Sequence, residues 1–239
     1  MTIALVSHVE ARSVGGGDFT SGAINTTGAN FIAVAVGAQD GNTVFTVTDN
    51  QSNGNATKLI GRVYAGAGTQ INIFYWTNPT VAASHTFTIN KNGGANTFGV
   101  LSAVAFSGVD TTSPADSVTN SASVANTKSA QPGSITPTNA NELVVAAMCQ
   151  GITDTISVDS SMTLYQLPVS GGNGFGISLG WVVQGSAAAI NPTFSWTTTN
   201  DFVPLVIGAF IAAAGGGITG PLLSGHLLSG GPLLGRLVR

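Results

Sequence analysis

The residues able to do acid–base chemistry are few. The chain has two glutamates, Glu10 and Glu142, and three histidines, His8, His85 and His226. Glycoside hydrolysis, the reaction a β-rich scaffold most readily hosts, needs two carboxyl groups roughly 5 to 10 Å apart. Glu10 belongs to an N-terminal segment, whereas Glu142 heads an apolar run in the second half of the chain. Asp49 and Asp159 occupy similar places in two similar halves, which reads as two equivalent turns and not as a catalytic pair. The histidines are far apart, and none sits in a metal-ligand or triad spacing. There is no nucleophile elbow, phosphate-binding loop or zinc motif. The chain therefore reads as a non-enzyme with no catalytic, cofactor-binding or metal residue, and no cofactor is expected.

Two further motifs concern ligands. Asp49, Gln51, Asn53 and Gly54 resemble the opening of a calcium loop, but Ile60 stands at the twelfth position where a bidentate carboxylate is required, so an Asx-stabilised turn is the expectation. Most of Trp76, Trp181, Trp196, Tyr64, Tyr75 and Tyr165 lie in apolar strands and should pack in the core. Trp196 and Tyr165, with polar neighbours, are the candidates for stacking on a glycan. Cys149 lies in an apolar run and reads as a small buried hydrophobe.

The elements that carry these residues are set out by an internal repeat. Residues 22–39, GAINTTGANFIAVAVGAQ, align without a gap on residues 133–150, GSITPTNANELVVAAMCQ, with eight of eighteen positions identical. The spacing of 111 residues implies two similar halves. Runs such as 31–36 and 143–149 are apolar at successive positions, the mark of strands covered on both faces. Residues 2–9 suit an edge strand within an N-terminal arm, 1–19. Half-repeats over 20–107 and 131–214 are joined by a Ser/Thr-rich connection, 108–130, with room for a strand near 117–124. No stretch has a sustained helical period with caps. The expected fold is an all-β, jelly-roll-like two-sheet β-sandwich built from two pseudo-repeated halves, with two tandem sandwiches as the alternative.

The composition narrows the partners. Only 7% of the 239 residues are charged, the net charge is −3, and seven Lys plus Arg are scattered singly, so no basic stripe exists to neutralise nucleic acid. The apolar run 203–214 is too short to span a bilayer, and MTIALVSHVEARSV lacks a basic leader, so a soluble protein without a classical export signal is expected. From Gly215 the chain becomes GGGITGPLLSGHLLSGGPLLGRLVR. Leu222, Leu223, Leu227, Leu228, Leu233, Leu234, Leu237 and Val238 recur in pairs between Gly, Ser and Pro, a pattern that would be an aggregation liability unless a partner covers it.

The motifs ITPTNANELVVAA, INTTGANFIAVAV, AFSGVDTTSPAD and GAFIAA, over roughly residues 20–214, resemble a family of uncharacterised two-part β-sandwich proteins of bacteriophages and bacteria. The resemblance carries no functional residue with it. It implies a structural protein of the virion, assembled in the host cytoplasm, most simply a capsid decoration protein. Such a protein would bind itself as a homo-oligomer, with a trimer favoured, and the major capsid or other virion proteins. A carbohydrate- or receptor-binding module on a phage tail or cell surface is the alternative.

Overall fold

The computed structural model describes residues 1–13, 17–66, 68–92, 98–151, 153–169, 175–200 and 202–214. Among them there are sixteen strands and no helix. The first half runs β1 (Ala4–Arg12), β2 (Phe19–Thr20), β3 (Phe31–Ala38), β4 (Val44–Asp49), β5 (Thr57–Tyr64), β6 (Thr69–Thr77), β7 (Phe87–Asn92) and β8 (Gly99–Ser107). The second runs β9 (Ala115–Val124), β10 (Thr127–Ala130), β11 (Glu142–Gln150), β12 (Ser157–Val158), β13 (Thr163–Leu167), β14 (Gly176–Gln184), β15 (Phe194–Asn200) and β16 (Val203–Phe210).

The two halves share one topology. A five-stranded sheet with order β1-β8-β3-β6-β5 is matched, eight strands on, by β9-β16-β11-β14-β13. A three-stranded sheet β2-β7-β4 is matched by β10-β15-β12. All strand pairings within these sheets, among the described residues, are antiparallel. The all-β sandwich architecture is as the sequence led one to expect, with four sheets where two were expected. The segment read as a connection supplies β9 and β10, two strands of the second half. Ala4–Arg12, in the segment read as an arm, is an edge strand paired along β8.

The layers follow from side-chain alternation. In β3, Ile32, Val34 and Val36 join Val47, Phe87 and Ile89 in an outer core beneath the small sheet. Phe31, Ala33 and Ala35 face the other way, into a central core shared with Leu143, Val145, Ala147 and Cys149 of β11. Val144, Ala146 and Met148 then meet Phe194 and Trp196 in a third core. Each five-stranded sheet is an inner layer, which is why β3 and β11 are apolar at every position. Aromatic rings tie the halves together, with Phe31 and Phe210 at 4.5 Å between centroids and Phe106 and Trp181 at 5.0 Å.

The sequence repeat slips by one residue as it enters the strands. Ile24 bridges His85 and Ile135 bridges Ile190, which keeps the 111-residue spacing. Yet the inward-facing residue paired with Phe106 is Phe31, and the one paired with Phe210 is Leu143, 112 residues on. The extra residue is taken up in the turn before β11, where Asn141 is left-handed at φ 66°. A one-residue slip exchanges the faces of a strand. The corresponding strands β6 and β14 also present their tryptophans to opposite faces: Trp76 packs in the outer core and Trp181 against the central one.

Candidate functional site

One side-chain network has the composition of a catalytic triad. His85 Nε2 lies 2.9 Å from Asp49 Oδ2, and His85 Nδ1 lies 2.9 Å from Thr26 Oγ1. A neutral imidazole carrying its proton on Nε2 satisfies both contacts, donating to the carboxylate and accepting from the hydroxyl. Thr26 and His85 are fully buried, however, so no substrate reaches the hydroxyl. Thr26 Oγ1 also accepts the amide of Ala82 at 3.1 Å. Asp49 accepts the backbone amides of Gln51 at 3.1 Å and Asn53 at 3.0 Å, the Asx turn expected of this loop. Burial raises the Asp49 pKa, but the hydrogen bonds from Asn53 and His85 outweigh it and leave the carboxyl below its ordinary range. The network is a clamp that joins the loop after β4 to the segments before β3 and β7. Asp159, which follows β12 as Asp49 ends β4, accepts the amide of Thr193 at 2.7 Å and plays the same part in the second half.

The two glutamates are not brought together. Glu142 is fully buried at the start of β11, where its Oε1 accepts the amide of Asn139 at 2.9 Å, the Asn139 side chain at 2.8 Å and the Thr138 hydroxyl at 3.1 Å. Burial raises its pKa, and the adjacent Asp116 carboxylate adds to that effect. Asp116 is lowered in spite of burial, by the Thr138 amide and by Glu142. The two carboxyls lie side by side, Asp116 Oδ2 accepting the amide of Thr138 at 2.8 Å. They also fasten the turn before β11 to β9.

Glu10 stands on the opposite side of the second large sheet, in the seam between edge strands β1 and β13. A bulge between Leu5 and Ser7 puts it there. Ile3 and Leu5 pack against the central core, and beyond the bulge Val9 and Ala11 pack in the outer core, leaving His8, Glu10 and Arg12 to face β13. His8 stacks on Tyr165 at 3.7 Å and 15°, and Arg12 donates to the carbonyl of Pro168. Burial raises the Glu10 pKa, partly offset by His8 and by its own backbone amide. Glu10 Oε1, Ser102 Oγ and Trp181 Nε1 are buried without a hydrogen-bond partner among the described residues. The bulge that turns His8, Glu10 and Arg12 toward β13 has no signature in the residues.

The glycan candidates fare differently from expectation. Trp196 is 6% exposed, with its ring in the third core and its indole N–H donated to the Thr127 carbonyl at 2.9 Å, so it offers no open face. Tyr165 is half-buried, with one ring face covered by His8. Its polar neighbour Gln166 alternates to the other face of β13, where it bonds the Ile156 amide and the Asp154 carbonyl, and so misreports the surroundings of Tyr165. Cys149 is buried as expected, its thiol pushed well up by burial and donating to the Gln70 carbonyl at 3.3 Å. Among the described residues no group of three or more His, Cys, Asp or Glu gathers to hold a metal. Leu222, Leu223, Leu227, Leu228, Leu233, Leu234, Leu237 and Val238, with His226, lie outside the described residues.

No family model, no curated protein and no solved structure matches the chain.

Proposed function

We propose that the chain is a non-enzymatic structural protein of a phage virion, a capsid decoration protein that binds the particle surface as a homo-oligomer. The observation that carries this reading is where the chemistry-bearing groups lie. The side chains of Asp49, His85, Glu142 and Asp116 are all buried and engaged in holding loops to strands. A surface poor in charge is then left to cohere with other copies and with capsid, and the paired leucines of residues 222–238 supply the apolar area for attachment. At roughly 25 cal/mol per Å2, burial of a few leucines per chain is weak alone and strong when several chains of an oligomer attach together.

The fold supports the reading by analogy. In each half the large sheet's β1-β8-β3-β6 order, or its equivalent, opposes β2-β7-β4, and we read each half as jelly-roll-like, an architecture recurrent among capsid proteins and lectins. The test is the protein inventory of purified virions. Decoration requires the chain at a fixed number of copies per capsid and as an oligomer by light scattering. A monomer absent from purified particles contradicts it.

A further inference from the structure

The three-stranded sheet β2-β7-β4 is narrower than the five-stranded sheet beneath it, and past edge strand β4 the outer face of β5 is uncovered, with Gln70 and Asn72 of β6 buried at the floor. A cleft of about 270 Å3 lies there, and Val44, Lys58, Gly61, Val63, Gln70 and Asn72 are among its walls. The register sets Gly61 opposite Asn72 and Val63 opposite Gln70. Gln70 donates its amide to the carbonyls of Thr43, at 2.9 Å, and Asp40, and Asn72 donates its own amide to Gln70 Oε1 at 3.0 Å. With its nitrogen so fixed, Asn72 turns Oδ1 toward Gly61. A Cβ added to Gly61 would lie 2.1 Å from that oxygen and 2.8 Å from Lys58 Nζ. An acceptor and an ammonium therefore converge over bare backbone, in a space that any other residue would fill.

The cleft has a definite chemical character. No acidic side chain is among its walls. Lys58 makes no ion pair among the described residues, and partial burial of its amine in the cleft lowers its pKa. The Arg62 guanidinium turns to the other face, where it donates to Ser123 Oγ at 3.0 and 3.2 Å. The rim is apolar: Val44 is 64% exposed and Val63 43%.

We propose that this cleft binds an acidic sugar, with its carboxylate on Lys58, a ring hydroxyl donating to Asn72 Oδ1, and its C–H face against Val44 and Val63. A uronic acid presents these three features together, whereas a neutral hexose lacks the charge and a small anion lacks the other two. The site does not depend on how the chain attaches to a particle, so its failure would leave the decoration reading standing.

The test is a titration of the 15N-labelled full chain with glucuronate, glucose and acetate, following the Gly61 amide and the Asn72 side-chain amide. Glucuronate is expected to give saturable shifts with a millimolar Kd, of the order of −4 kcal/mol, and glucose and acetate to bind at least about tenfold more weakly, about 1.4 kcal/mol. Lys58→Met, at an exposed position, should keep the wild-type unfolding midpoint and lose at least tenfold in glucuronate affinity, by the same measure. Absence of a saturable glucuronate shift, unchanged affinity in Lys58→Met, or acetate binding as tightly as glucuronate would each overturn the proposal.

Discussion

Cys149 occupies the place of a side chain at position 37. A Cβ added to Gly37 would lie 1.9 Å from its sulfur. The two halves approach so closely here because β3 has no side chain where β11 presents a thiol, and the same economy recurs where a Cβ on Gly208 would meet Leu59 at 2.5 Å. Overpacking a core of this kind costs roughly 1 to 3 kcal/mol. Gly37→Ala should lower stability in denaturant by that amount, and pairing it with Cys149→Ala should recover part of the loss. Full additivity of the two single changes would show that they do not meet.

The Asp49–His85 contact should matter in a defined pH range. Asp49 has a folded pKa below its ordinary value of roughly 4, so its contribution to stability is present above that value and fades as pH falls through the lower one. Asp49→Asn should cost about 1.5 to 3 kcal/mol near neutral pH, the worth of hydrogen bonds made to a charged group. Its deficit should shrink on acidification below pH ~4, as read from chemical denaturation across pH.

Glu10 should behave in the opposite sense. Its folded pKa is raised, so the folded state is favoured below the ordinary value of roughly 4.3 and loses that advantage as pH rises through the raised one. Above the ordinary range, holding Glu10 in the seam costs stability. Glu10→Gln should therefore raise the melting temperature at pH ~7 and make no difference at pH ~4.

Trp196 should prove structural. Trp196→Phe leaves the Thr127 carbonyl without its donor, at a cost of about 1 to 2 kcal/mol, and should leave glucuronate binding intact. Loss of sugar binding with unchanged stability would restore Trp196 as a ligand contact.

The legible features of the fold are those set by local pattern. Continuous apolar runs at 31–36 and 143–149 disclose strands covered on both faces, and the 111-residue repeat discloses two halves. The same runs did not disclose four layers, because a strand between two sheets looks alike whether its neighbours belong to its own half or the other. The partnership of Asp49 and His85 joins residues 36 apart through sheet pairing alone. The placement of His8 and Glu10 depends on one bulge, and the facing of β11 on one extra turn residue before it. Each is a parity change, invisible to composition and decisive for which side chains meet.

The most direct measurement of the decoration reading is co-sedimentation of capsids with the full chain and with a chain lacking residues 216–239. The shortened chain should keep its melting temperature, since the sixteen strands found among the described residues all lie within residues 4–210, and should fail to sediment with particles that carry the full chain at fixed stoichiometry. Normal occupancy by the shortened chain would contradict attachment through the leucine-rich segment.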